Sequence, residues 1–286
     1  MTDAIPTAAF GALAALSLGL ADFLARFATT RLGPRRTAAV MYGGGGVLFG
    51  AVALSLGAPF PGLDRAGLFA LLSGLAGGAG ILCFYTAISR GQLSYVIPIA
   101  ATYPVWSVLY AALVQGFPFQ PALLAAIAVT IAGAAVVARY GVLDPDETGA
   151  SRGPVVLLAL AAAILFVASL YLAGPAVAGS SALGALAVAR IAGCLLMIAT
   201  LRHGERTRRG VPVALAMAAL DGLATLLILM VIGRAESALA IVVSGAFGVV
   251  TVLLGRIVLG ERVVPLQWAG ILMAIGGAIT VSAIGA

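Results

Sequence analysis

The 286-residue sequence has no lysine, one histidine and two cysteines, and only 9% of its residues are charged. Soluble domains carry about a quarter charged residues. That scarcity, with 62% hydrophobic residues and a mean hydropathy of +1.15, excludes a water-soluble fold. The lone His203 stands among Arg202, Glu205, Arg206, Arg208 and Arg209, the setting of a solvated loop, so acid–base chemistry loses its commonest reagent. Cys83 and Cys194 lie inside apolar runs, where they serve as small hydrophobes and suggest neither a disulfide framework nor a metal site. All sixteen basic residues are arginine, and the net charge of +6 is accounted for by loops at a membrane face. Nucleic acid is therefore not an expected partner. No phosphate-binding loop, paired carboxylates or metal-ligand spacing occurs, so no cofactor, metal, catalytic residue or ATP dependence is expected.

What fills the sequence instead is one apolar run after another. About 20 residues cross the hydrocarbon of a bilayer as a helix. Counting runs of that length predicts spans at 8–26, 37–57, 66–89, 93–115, 120–139, 153–172, 181–201, 211–232, 237–259 and 264–284. The turns fall at Gly116, Pro118 and Pro121 in one long run, and at Gly174-Pro175 through Ser180-Ser181 in another. Residues 1 to 7 contain only Asp3 as a charge, so the first span lacks the positive flank of a signal peptide and is expected to be retained. Unsatisfied backbone groups are costly in lipid, which restricts spanning structures to helices and closed barrels, and long unalternating runs reject the barrel. Thirty-seven glycines, including Gly43-Gly44-Gly45-Gly46, fit close helix contacts.

Sliding the chain by 144 residues lays 88–137 over 232–281. Arg90 then falls on Arg234, Val105 on Val249, Gly116 on Gly260, Pro121 on Pro265, and Gly133-Ala134 on Gly277-Ala278. An odd number of spans per copy makes the second copy enter the membrane in the opposite direction. The expectation is thus an all-α membrane protein of ten transmembrane helices in two inverted five-helix repeats, residues 1–140 and 153–286, joined by a linker at 141–152. Inverted repeats characterise secondary transporters, which hold solute at mid-membrane between the halves and work by alternating access around that central cavity.

The segments YPVWSVLYAALVQGF and GVVTVLLGRIVLGER carry a family resemblance. The first holds Pro104, Val105 and Gly116 but has Phe117 at the usual Glu; the second keeps Gly260-Glu261 but has Gly248 at the usual Pro. With Arg190 in the second helix of the second repeat, opposite Tyr42 when Gly45 is aligned with Gly193, the chain resembles the ten-helix EamA type of the drug/metabolite transporter superfamily. The resemblance implies a small-molecule transporter in a bacterial inner membrane. Arginines set its orientation. Thirteen lie after odd-numbered spans, against Arg65 and Arg234 on the other side, which predicts odd loops in the cytoplasm and both termini outside. The resemblance would often imply the reverse.

Ionisable residues at mid-membrane are functional candidates. Arg190 and Asp221 fall near the centres of their predicted spans, where they form a structural ion pair or hold the two charges of a solute. Asp22 falls close to the end of the first span, one turn from Arg26, and reads as half of a local pair. Tyr95, Thr102 and Trp106 share one stripe of the fourth span, flanked by Pro98 and Tyr103; Tyr42 and Tyr85 are placed to join them in an aromatic cavity whose opposite, smaller wall is formed around Ser244 of the ninth span. The expected function is export of small metabolites, foremost amino acids with aromatic or hydrophobic side chains, by a monomer or homodimer whose partners are a small-molecule substrate and the lipid bilayer. The alternatives are a membrane-embedded enzyme acting on lipid-linked substrates, disfavoured by scattered acidic residues, and an exporter of drugs or other metabolites.

Overall fold

The computed structural model describes residues 7–115, 120–140, 152–201, 209–231, 244 and 246–284. Among them the chain forms helices and turns and no β-strand: α1 (Thr7–Leu32), α2 (Pro34–Ser55), α3 (Arg65–Arg90), α4 (Leu93–Ala100), α5 (Tyr103–Gln115), α6 (Pro121–Tyr140), α7 (Arg152–Ala178), α8 (Ala182–Thr200), α9 (Val211–Val231), α10 (Phe247–Val258) and α11 (Pro265–Ile284). Seven of these, α1, α2, α3, α6, α7, α8 and α9, have the length and apolar character to cross a membrane, and α10 and Pro265–Val281 within α11 are shorter apolar helices. Residues 141–151 of the linker expected at 141–152, the Gly116 and Pro118 turn and residues 202–208 around His203 lie outside the described residues, while Arg152 opens α7. So do 237–243 and 245 of the expected ninth span. Large apolar side chains such as Leu13, Val47, Leu54, Leu157, Leu195, Ile257 and Leu272 point outward, as lipid-facing surface requires.

The helices pack across the halves more than within them. α3 packs on α7 as α1 does on α9; α3 on α8 as α2 on α9; α5 on α7 as α1 on α10. The pairs α2–α8 and α6–α11 match themselves. A contact pattern unchanged by exchanging the halves marks a twofold relation. Gly43, Gly46 and Gly50 of α2 face Cys194, Ile191 and Ala187 of α8 in turn, so these equivalent helices run antiparallel. Thr130 and Val136 of α6 meet Gly277 and Gly270 of α11, with the same result. Glycine makes these approaches possible, because in lipid helices associate through close van der Waals contact rather than through exclusion of water. A Cβ on Gly74 would strike the carbonyl oxygen of Ala189, and one on Gly78 would lie 2.9 Å from the Cα of Gly193.

Three expectations are corrected. The first span does not end at 26 but runs to Leu32. Nothing breaks the helix before Gly33, whose φ of 75° suits glycine, and Pro34 then opens α2. Arg26 stays on the helix and donates to the carbonyl of Ile88 at 2.7 Å. The fourth span is not one helix but two, α4 and α5, parted at Ala101-Thr102. Pro98 has no N–H for the carbonyl of Ser94, which instead accepts a hydrogen bond from Gln267 at 3.3 Å. Pro104 sits at the second position of α5, where a missing N–H is harmless. The sixth span, finally, does not stop at 172: α7 continues through Pro175 to Ala178. The turn comes at Gly179-Ser180, and Ser181 caps α8 by accepting from Gly184 N at 3.0 Å.

Candidate functional site

A cavity of about 180 Å³ lies where both halves meet, lined from α1, α2, α3, α4, α5, α7, α8, α9 and α10. That is room for several waters, the scale of a small metabolite. Its polar lining comprises Asp22, Tyr42, Ser73, Tyr103, Ser169, Arg190, Asp221 and Thr225; Phe84, Phe166 and Phe247 are its phenyl groups, and alanine, glycine, leucine and isoleucine supply the rest.

Arg190 projects from α8 at 6% exposure and pairs through Nη2 with Oδ2 of Asp221, itself 7% exposed on α9. The same Nη2 donates to Thr225 Oγ1 at 3.0 Å, and Thr225, one turn beyond Asp221, donates in turn to the Asp221 carbonyl at 2.8 Å. The guanidinium carbon lies 4.6 Å from the ring centre of Tyr42, and Nη1 reaches Met41 Sδ at 4.0 Å. A buried cation is thus met by a carboxylate, a hydroxyl and an aromatic face together, the compensation that such burial demands.

The exchange of halves explains the site. Tyr42 and Arg190 are equivalent positions and touch each other. Extending the 144-residue shift back through α3 places Gly77 at the position of Asp221. A Cβ on Gly77 would lie 3.0 Å from the Tyr42 hydroxyl and 2.8 Å from Ser169 Oγ. Tyr42 over Gly77 is therefore the neutral counterpart of Arg190 over Asp221. The same shift pairs Tyr103 with Phe247, whose rings meet at 6.3 Å on the wall.

Of the residues singled out in the sequence, Tyr42, Tyr103, Arg190 and Asp221 line the cavity. The others stand off it. Tyr85 is 1% exposed and donates to Met41 Sδ at 3.6 Å, behind the wall. Tyr95 turns the other way, its hydroxyl 3.4 Å from the carbonyl of Ala138. Pro98 is buried where α4 packs, Thr102 donates to the Ile99 carbonyl at 2.7 Å, and Ser244 hydrogen-bonds to the side chain of Tyr103. Trp106 is half-buried, with Nε1 unpartnered among the described residues. The expected stripe is split by the break at Ala101-Thr102, which turns Trp106 and Tyr95 onto separate helices.

The sequence reading missed four groups. Asp22, placed near the interface, lies past the middle of a 26-residue helix and lines the cavity at 5% exposure. Ser73 and Ser169 donate reciprocally to each other's carbonyls at 2.9 Å across α3 and α7, and Phe84 and Phe166 meet edge to face at 5.9 Å. Thr225 had a visible signal, a hydroxyl one turn from a buried aspartate. Outside the cavity, Glu261 accepts from Leu93 N and Ser94 N, both at 2.8 Å, and so caps α4, whose own Gln92 makes no side-chain cap. Gly260 turns the chain with φ of 67° to deliver it.

Among curated proteins no sequence matches this chain. One crystal structure superposes with a TM-score of 0.62 over 94% of this chain and 95% of its own, at 17% identity, a likeness of fold alone. The model of the EamA-like transporter family matches residues 5–139 and again 153–283, taking in both halves. With the double match, the apolar spans and the exchange-symmetric packing, the chain is a multi-pass membrane protein of the EamA-like transporter family.

Proposed function

We propose that the chain is a ten-span secondary transporter that exports amino acids with apolar or aromatic side chains across a bacterial inner membrane, by alternating access to the cavity. The observation that carries this reading is the Arg190–Asp221 pair in the wall of a small, otherwise apolar chamber. A zwitterion is itself an ion pair. Its carboxylate draws on Arg190 and its ammonium on a carboxylate of the wall, so the net charge of the chamber is unchanged as it enters and leaves. Phe84, Phe166, Phe247 and Tyr103 face the side chain, and a chamber of about 180 Å³ suits a solute of amino-acid size better than a drug. The antiparallel pairing of α2 with α8 and of α6 with α11 supports inverted repeats moving against each other around the site. The arginine distribution supports odd loops in the cytoplasm and both termini outside.

Purified chain in proteoliposomes loaded with labelled phenylalanine or leucine tests the reading. Wild type is expected to release label faster than empty vesicles, and Arg190→Gln and Asp221→Asn to slow release at least tenfold. Release from wild type no faster than from empty vesicles, across a panel of apolar and aromatic amino acids, would end it.

A further inference from the structure

We propose that Asp22 is the receptor in this cavity for a protonated amine, so that an ammonium group, rather than a carboxylate, is what a solute must carry to be held. This rests on the cavity being the transport site and adds which end of the solute decides recognition.

Asp22 lines the cavity from α1 at 5% exposure, and among the described residues it forms no hydrogen bond and no ion pair. Arg26, one turn away, directs its Nη1 to the Ile88 carbonyl instead. Arg190, the one guanidinium in the wall among the described residues, is already engaged by Asp221, by Thr225 at 3.0 Å and by the face of Tyr42. Among the described residues the wall thus holds two carboxylates and one cation, and the carboxylate that the cation does not pair with faces the chamber. A buried carboxylate needs a partner. An organic ammonium supplies one: its three N–H donors can meet Asp22 and a neighbouring hydroxyl, and its carbon body fits the Phe84, Phe166 and Phe247 side of the chamber. A metal ion would need about six oxygens around it. The wall offers aromatic rings instead, and among the described residues no three His, Cys, Asp or Glu side chains cluster. A solute carboxylate finds no comparable vacancy, because Arg190 must first leave Asp221.

Three solutes sharing one ring separate the two ends: phenylalanine, 2-phenylethylamine, which keeps only the amine, and 3-phenylpropionate, which keeps only the acid. Binding is measured by calorimetry on the full chain in lipid nanodiscs, and flux in proteoliposomes. The amine is expected to bind within about threefold of phenylalanine and the acid at least tenfold more weakly. Asp22→Asn, which keeps size and shape, is expected to weaken both amine-bearing solutes at least tenfold and to leave the acid unchanged; Asp22→Glu is expected to restore part of the loss. The acid binding as well as the amine, binding of none of the three, or Asp22→Asn weakening all three alike would overturn the proposal. Flux of 2-phenylethylamine with none of phenylalanine would sink the amino-acid reading and leave this one standing. Flux of phenylalanine unaltered by Asp22→Asn would do the reverse.

Discussion

Two places in the molecule are copies of each other and are solved differently. In the first half Tyr42 lies against Gly77; in the second Arg190 lies against Asp221 and Thr225. The framework around them has barely changed. Gly193 meets Tyr42 and the Gly74 carbonyl, while its counterpart Gly45 meets Arg190 and the Ala218 carbonyl. Packing was kept while chemistry diverged, because a glycine in a helix crossing tolerates no side chain, whereas a cavity wall accepts any group whose charge is answered. The most severe way to break the comparison is Asp221→Ala, which leaves Arg190 buried without its counter-ion. Removing one partner of a buried pair costs about 3–5 kcal/mol. The expected readout is loss of a monodisperse peak in detergent or a thermal midpoint many degrees lower. The double change Arg190→Tyr with Asp221→Gly writes the first half's neutral solution into the second. It is expected to recover most of that stability and no transport.

A second break attacks what the halves share. Gly277 of α11 is the repeat partner of Gly133 of α6, and a Cβ on Gly277 would strike Thr130 Oγ1 and lie 2.9 Å from the backbone N of the same residue, which cannot swing away as a side chain can. Gly277→Ala is expected to cost about 1–3 kcal/mol, the range for overpacking. Resistance to unfolding in increasing SDS measures it. Unchanged resistance would show that the α6–α11 seam adapts.

How much of this was readable beforehand follows from which forces are local. Runs of apolar residues report directly on spanning, and a repeated Arg, Gly and Pro report on duplication, so the membrane class, the two halves and the family were legible in the letters. Arg190 and Asp221 stood out because a charge within a long apolar run has few neighbours to explain it. Asp22 did not stand out, since Arg26 and Arg31 close behind it looked like the end of a span. The helix carries both arginines on to Leu32, and that shift of one and a half turns moves Asp22 from the rim to the chamber. The aromatic stripe failed for a different reason. Helical periodicity holds only while the helix does, and two prolines within seven residues part Tyr95 from Trp106. The need to answer the Ser94 carbonyl with Gln267, from a segment more than a hundred residues away, leaves no local mark in the sequence.

Glu261 sharpens the contrast between the halves at the end of the chamber's scaffold. The carboxylate accepts two backbone N–H groups at the start of α4, where orphan donors and the helix dipole favour negative charge. The matching position in the first half is Phe117, which cannot do this. Glu261→Gln keeps one acceptor and loses the charge, so a loss of about 1 kcal/mol is expected. Hydrogen exchange at Leu93 and Ser94 should rise with it. Equal protection in both proteins would mean that packing alone holds α4.

The smallest effect comes from the residue beside Gly277, and it carries the opposite sign. Gly276 is exposed on α11 and a Cβ there would find nothing within 4 Å. Glycine inside a helix costs about 0.5–1 kcal/mol relative to alanine, through the backbone freedom it must give up. Gly276→Ala should therefore raise resistance to SDS slightly, where Gly277→Ala lowers it. Adjacent residues of one type on one helix then answer the same substitution in opposite directions. Only contact with the partner helix distinguishes them, because propensity and sequence surroundings are shared. If Gly276→Ala were instead as damaging as Gly277→Ala, glycine on α11 would be serving flexibility along the whole helix, and the division between a packing face and a lipid face would fail there.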